Sequence, residues 1–380
     1  MDTRLNDYSL RDADRILTPA LLIYAEHVDG NIEATLRMVG GDPERWRPHI
    51  KTAKLAATVR RMLEHGIRNF KCATSLELLT ACRERAADVL VAFAVTGSNA
   101  ERIREIAAEY PKTRVSVLVE SVEQLVPWRG SDLGIFIDVN PGMDRTGIGQ
   151  DRMDRISDLV REAGPAFRGL HYYDGHISSG DTLEREAKAH QGYDQLLRIV
   201  DELASLGMAP GEVITSGTPA SPAGFSYRGF NSGRFVHRIS PGTVVYNDFT
   251  SLRQLPGYGY SPAVLVLTTV ISQPAQNRIT CDAGHKSVSA DAGVPTCEVI
   301  GYPDLMPLKP SEEHLPMDVA PGTAIPRIGD RLYLLPRHVC PTVNNFDEAV
   351  MIVNGRIDRL EPVTARGHES PLAVVGQVTA

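Results

Sequence analysis

Arg47-Pro48-His49-Ile50-Lys51-Thr52 is the stretch on which the reading of this chain turns. A short apolar and aromatic run leads into a single lysine. Helical spacing begins at once behind it, with Leu55, Val59, Met62 and Leu63 on one face. This places Lys51 at the C-terminal end of a strand, facing the mouth of its sheet. A lysine there is a solvated charge, as most lysines are, or an amine held in a cleft for covalent chemistry.

Working outward from Lys51, apolar runs alternate with helical segments on both sides. The runs are Ala20–Tyr24, the one ending at Lys51, Asn69–Thr74, Asp88–Val95, Val115–Val119, Leu133–Val139, Phe167–Tyr173 and Val213–Thr215. The third is followed by a helix with Ser75 as its N-cap. Eight such repeats predict a (β/α)8 TIM-type barrel over residues 18–245, in which function sits at the C-terminal strand ends. The polar residues placed there are Lys51, Thr74, Asp138 to Arg145, His171 to His176, and Ser216-Gly217-Thr218. Beyond Ser240-Pro241-Gly242 the helical period fades. Val264–Ile271, Arg278–Cys281, Arg331–Leu335 and Glu348–Val353 read as strands, and Asn354-Gly355 as a tight hairpin turn. These predict a mostly β C-terminal domain over 246–380, with residues 1–17 packing against it.

Composition narrows the function classes. A chain of 380 residues with 42% hydrophobic and 23% charged residues has enough material for two domains and a large core. The formal net charge of -7 argues against nucleic acid or an anionic membrane as partner. No stretch is long and apolar enough to span a bilayer, and the N-terminus has no apolar signal core. Cys72, Cys82, Cys281, Cys297 and Cys340 are odd in number and form no CxxC pair. Reduced thiols in a cytoplasmic protein are therefore expected for four of them.

Small residues in Thr215-Ser216-Gly217-Thr218 leave backbone N–H groups able to cradle a phosphate. Alone, this is an ordinary loop. With a strand-end lysine in the same barrel it suggests a phosphorylated cofactor bound as a Schiff base, and pyridoxal phosphate (PLP) meets both requirements. Arg145, in a glycine-flanked loop, is either a surface ion-pair residue or a donor to the cofactor's phenolic oxygen. His171 and Tyr173 share one strand face, where one of them could meet the pyridine nitrogen. His338 and Cys340 are two apart. On an extended segment both side chains point the same way, and an imidazole with a thiolate can hold Zn2+ while leaving open positions.

Together these motifs resemble the fold-type III PLP enzymes of the D-threonine aldolase and D-serine dehydratase group. The resemblance rests on the Arg47–Thr52 stretch, Lys71-Cys72-Ala73-Thr74, the Gly142–Gly147 loop, Gly169–Tyr173, Ser216-Gly217-Thr218, Pro241-Gly242, Asp282–Lys286 and Pro336–Thr342, in family order. It implies an alanine racemase-like barrel, a C-terminal β domain and a homodimer in which the partner's β domain completes the site. It assigns Lys51 to PLP, with Arg145, His171, Tyr173, Ser216, Gly217, Thr218 and Tyr246 around the cofactor. Tyr173 is the implied pyridine-nitrogen partner, and His338 with Cys340 the ligands of a divalent metal. Two departures stand out. Lys51-Thr52-Ala53-Lys54 replaces the group's Lys-Thr-His-Lys, and His171-Tyr172-Tyr173 its Gln-Ala-Tyr.

The implied activity is a lyase on β-hydroxy D-amino acids, with Lys51, His338 and Cys340 catalytic. Aldol cleavage to glycine and an aldehyde is the first reading. D-serine dehydratase-type β-elimination to a 2-oxo acid and ammonia is the alternative, and Cys340 points toward it. An amino-acid racemase and a non-catalytic PLP carrier rank below both. The cysteine favours Zn2+ over Mn2+ or Mg2+.

Overall fold

Seven parallel strands form one curled sheet in the order Asn69–Cys72, Asp88–Val91, Arg114–Val119, Gly134–Asn140, Phe167–His171, Glu212–Thr215 and Val236–Ile239. The two-residue strand Ile148–Gly149 adds to the Gly134–Asn140 edge. This is a computed structural model describing residues 8–372. The segment 46–50 lies between the first and last of the seven. Trp46 bridges Ile239 and His49 bridges Lys71, both parallel. Arg47 N–H donates to Ile239 O, and Ile50 N–H to Lys71 O. The irregular segment thus occupies the eighth position and closes the barrel. It never becomes a regular strand because Pro48 has no N–H to give the ladder.

Eight positions were expected, and their membership differs. Ala20–Tyr24 is not a barrel strand. It pairs antiparallel with Val264–Ala275 and parallel with Glu348–Val353, in the other sheet. Both environments bury a strand on two faces, so the continuous apolar run could not separate them. Its place in the barrel is taken by Val236–Ile239, hidden in sequence by the polar pair His237-Arg238.

The chain divides into two units. One comprises Thr35–Lys51, Val59–Gly242 and the chain from Gly367 onward. The other comprises the chain up to Ala34, Thr52–Thr58 and Thr243–Arg366. In the second unit the sheet runs Leu305–Pro307, Leu315–Val319, Arg278–Cys281, Val264–Ala275, Ala20–Tyr24, Glu348–Val353, Arg356–Pro362. Arg331–Pro336 also pairs with Val264–Ala275, and Cys297–Val299 with Arg331–Pro336. The Asn354-Gly355 turn has both residues at positive φ, 51° and 66°, as a two-residue hairpin of this twist requires.

Inside the barrel, Leu90, Leu118, Phe136 and Ile214 pack as an apolar layer. Below it, at the N-terminal strand ends, Arg47 is wholly buried between Asp88 (2.7 Å) and Glu212 (2.9 Å). Arg168 and Arg238 bond the same carboxylates. Burial alone would push Asp88 up, but Arg47 and Arg168 hold it down at about 2. Above the apolar layer, alternation carries Asp138 to the mouth two residues beyond Phe136. The helix Ser75–Arg83 is started by a reciprocal cap one residue earlier than expected. Thr74 Oγ1 accepts from Glu77 N–H, and Glu77 Oε2 accepts from Ala73 N–H. Among the described residues no helix is long and apolar enough to cross a membrane.

Candidate active site

A cavity of about 310 Å3 opens at the C-terminal strand ends, lined among others by Lys51, Lys71, Asp138, Arg145, His171 and Tyr173. Each side chain arrives there for a local reason. Lys51 follows the closing segment, and its N–H donates to His49 Nδ1 at 3.2 Å. His171 is the last residue of its strand, and Tyr173 lies two beyond, on the same face. Tyr172 between them points away and packs against Tyr193. Arg145 sits in a loop folded back on its own strand. Asn140 Oδ1 accepts from Gly142 and Asp144 N–H, Thr146 Oγ1 donates to Asp138 Oδ2, and Gly147 N–H donates to Glu120.

Three cations surround one aromatic ring. Lys51 Nζ, Lys71 Nζ and Arg145 Cζ lie 5.8, 5.5 and 5.1 Å from the Tyr173 ring centroid. The ring face is what the cavity sees. The Tyr173 hydroxyl lies over Gly175, where an added Cβ would come within 2.4 Å of it.

Behind the ring runs a buried polar chain. Lys71 Nζ is 2.8 Å from Ser240 Oγ and 3.1 Å from His171 Nε2. His171 Nδ1 is 2.7 Å from Asp138 Oδ1. Burial pushes the Asp138 carboxyl up, but His171 and Thr146 outweigh it and hold it below the usual range. Burial and the charge of Lys71 depress the His171 imidazole despite Asp138. Burial, then the charge of Lys51, push the Lys71 ammonium down to about 7 against Asp138 and Asp174.

The expected phosphate turn is formed but partly engaged. Ser216 is buried at φ 71°, its hydroxyl near Tyr193 (3.1 Å) and Thr215 (3.0 Å). Gly217 N–H donates to Asp174 Oδ1 at 2.9 Å, so the turn already holds a carboxylate. Burial keeps that carboxyl above its ordinary range despite this bond and one from Tyr193. Gly217 packs on Tyr173, and Thr218 is nearly buried beside it. Tyr246 belongs to the other unit and is fully buried, its hydroxyl bonded to Thr58 and to Ala53 O.

The His338–Cys340 pair also lies in that second unit, and its local structure differs from the extended segment expected. His338 is extended at φ -135°, but it is the N-cap of a short helix, Val339–Asn344, whose first turn contains Cys340. The helix is anchored by Asp248, which accepts from Val339 N–H. His338 Nδ1 contacts Asp291 Oδ2, and Cys340 Sγ lies 3.0 Å from Thr52 Oγ1. Burial opposes the charge of His338, but Cys340 and Asp291 outweigh it and the imidazole is pushed up to about 9. Among the described residues no three His, Cys, Asp or Glu side chains are arranged to hold a metal.

Lys71, Ser240 and Asp291 escaped the sequence reading as site residues, and Asp174 was placed only by its range. Lys71 carried a signal, since a lysine inside the apolar run Asn69-Phe70-Lys71-Cys72 has to point somewhere buried.

The arrangement can be set against known proteins. Residues 23–248 match the family model of the alanine racemase N-terminal domain, well over half of the chain. The chain belongs to that family. Residues 263–352 match a serine dehydratase domain, and the two matches together place it among the fold-type III PLP enzymes of the D-threonine aldolase and D-serine dehydratase group. That group consists of PLP-dependent lyases whose members also need a metal. The chain is 27% identical over 367 residues to a D-threonine aldolase of Arthrobacter sp., covering 93% of each. It is 28% identical over 383 residues to a 3-hydroxy-D-aspartate aldolase of Paracoccus denitrificans, covering 94% of each. The crystal structure of D-threonine aldolase from Filomicrobium marinum superposes with a TM-score of 0.84 at 25% identity, over 96% of this chain and 98% of that one.

A second cavity of the barrel unit, about 840 Å3, lies at the N-terminal strand ends, walled by Asp88, Arg168, Glu212 and Arg238. Those charges neutralise one another, and function in such barrels sits at the opposite face.

Proposed function

We propose that this protein is a PLP- and metal-dependent lyase acting on β-hydroxy D-amino acids, cleaving the Cα–Cβ bond to give glycine and an aldehyde. The observation that carries the reading is the cavity in which Lys51 shares one aromatic ring with two further cations. An amine for a carbonyl and cationic donors for oxyanions are the donor set that PLP and an amino-acid carboxylate call for. The cavity volume sits at the lower end of small-molecule pockets, which run from about 300 to 1,000 Å3. When bound, PLP supplies an electron sink for the charge left on Cα.

This chain's own residues do the rest. Lys51 would hold the cofactor by its carbonyl carbon. Arg145 donates to an oxyanion and, with Tyr173, walls the ring side of the cavity. The turn contributes the N–H groups of Ser216 and Thr218, that of Gly217 being spent on Asp174. His338 and Cys340 hold the divalent metal, and a thiolate beside an imidazole favours Zn2+. The group's resemblance supports a homodimer as the working form.

A second reading is supported by one residue. Cys340 is the ligand type that the resemblance associates with dehydration, which would release ammonia and a 2-oxo acid. The deciding experiment incubates PLP-loaded protein with D-threonine and with 3-hydroxy-D-aspartate, with and without chelator. Glycine plus aldehyde, lost on chelation, is the expected result. Ammonia and a 2-oxo acid would establish the dehydratase, and turnover unchanged by chelator would remove the metal from the mechanism.

A further inference from the structure

The barrel mouth contains a second lysine, which the reading above counts among the cations but assigns no specific partner. Lys71 is 1% exposed, and it lines the same cavity as the half-buried Lys51. Its hydrogen bonds define what it offers. Ser240 Oγ lies 3.2 and 3.1 Å from the carbonyls of Thr215 and Ser216, to which its O–H donates, so toward Lys71 it accepts. Asp138 is held ionised, so His171 donates from Nδ1 and accepts at Nε2. Lys71 therefore spends two N–H bonds on Ser240 and His171. Its remaining tetrahedral position is a third N–H when protonated and a lone pair when neutral, and the Tyr173 ring and the cavity lie beside it.

PLP has its carbonyl carbon and its ring nitrogen at opposite ends of the ring. Lys51 at the more open side takes the carbonyl end, which carries the nitrogen to the buried side. His171 has both nitrogens engaged. The Tyr173 hydroxyl is directed over Gly175, and the ring presents its face. We propose that Lys71, positioned by Ser240 and the His171–Asp138 pair, is the hydrogen-bond partner of the PLP ring nitrogen and shares one proton with it. This rests on the PLP reading and reassigns the role that the resemblance gives to Tyr173. It makes the ring's electron-withdrawing strength depend on a lysine that titrates. The charged and titratable groups around Lys71 are Lys51, Arg47, Asp138, Asp174, His171 and Tyr173. Burial and the neighbouring cations bring its proton loss to about 7.

The test uses the full-length protein loaded with PLP labelled with 15N in the ring, fixed by borohydride in a parallel sample to map the attached lysine. In the wild type the ring-nitrogen resonance should move across the neutral range as the shared proton shifts. Lys71→Met, checked for folding by circular dichroism and for PLP stoichiometry, should abolish that movement. Lys71→Arg, with a permanent charge, should leave a pH-independent signal, and Tyr173→Phe should leave the titration in place. A titration unchanged in Lys71→Met, or lost in Tyr173→Phe instead, overturns the proposal. Should Lys71→Met not fold, the wild type alone decides, because a pH-invariant resonance overturns it too. Absence of any reduced adduct at Lys51 is a different failure. It sinks the cofactor reading, and this inference with it.

Discussion

His338 Nδ1 stands 2.7 Å from Asp291 Oδ2, with Cys340 bonded to the same imidazole. Once a metal displaces the second proton of the imidazole, a carboxylate on Nδ1 orients the ring and leaves the other nitrogen to meet the ion. Asp291→Asn should keep the fold but weaken metal binding by about 10- to 100-fold. Competition with a chromogenic chelator measures this directly, and unchanged affinity would show that Asp291 is only a surface partner. Cys340→Ser and His338→Ala should lose the metal altogether, and with it turnover.

Lys51 and Lys71 lie in one cavity, so removal of either leaves an amine behind. Lys51→Ala should abolish the borohydride-fixed PLP adduct at this position and lower turnover by at least the roughly 10²–10⁴-fold that a positioned proton-transfer group supplies. Peptide mapping after reduction reads the attachment site. An adduct at Lys51 in the wild type and none in the variant is the expected pattern. Label persisting at the same level would place the cofactor on another residue.

The ion network at the N-terminal strand ends is a stability device separate from the site. Arg47 is fully buried between two carboxylates, so Arg47→Met leaves Asp88 and Glu212 with Arg168 and Arg238 alone and should cost up to about 3–5 kcal/mol. Urea denaturation at neutral pH checks this. The acid side follows from Asp88, whose folded value of about 2 lies below its ordinary 3.8. A carboxyl depressed in this way contributes stability that is complete above its unfolded value and is lost as pH falls toward 2. The contribution is on the order of 2 kcal/mol. Wild-type stability should therefore fall between about pH 4 and 2.

The alternating pattern from Asn69 to Thr215 made the barrel legible, because parallel strands with helical crossovers leave a distinct period in sequence. The strand-end position of Lys51 was legible for the same reason. Ala20–Tyr24 was assigned to the wrong sheet because burial on both faces looks alike in either. Val236–Ile239 was missed because His237 and Arg238 are buried polar residues whose partners, Thr215 for one and Glu212 and Glu44 for the other, lie far away in sequence. The Lys71–His171–Asp138 chain was unreadable for a related reason. Its members come from three strands separated by tens of residues, and only barrel closure brings them within hydrogen-bond range. The His338–Cys340 pair was found by spacing, although the backbone turns into a helix between them and Asp291 arrives from another loop.

Gly147 tests whether the Arg145 loop is a built part of the site. Its φ is 97°, a backbone region that disfavours any side chain, and an added Cβ would come within 2.7 Å of Asn140 N. Its N–H also donates to Glu120, and Thr146 beside it ties the loop to Asp138. Gly147→Ala therefore has no local escape, since the crowded atom is backbone of the strand that carries Asp138. The loop must shift, and Arg145 with it. The strain of about 1–2 kcal/mol is small against a domain of this size, so the variant should fold with a melting temperature lowered by a few degrees. What should change more is the site, with weaker PLP retention on dialysis and a raised KM, because Arg145 no longer flanks Tyr173. Arg145→Lys, which keeps the charge but loses the fork of donors, should reproduce the binding defect without the thermal one. Wild-type retention and KM in both variants would mean that the loop decorates the cavity without shaping it.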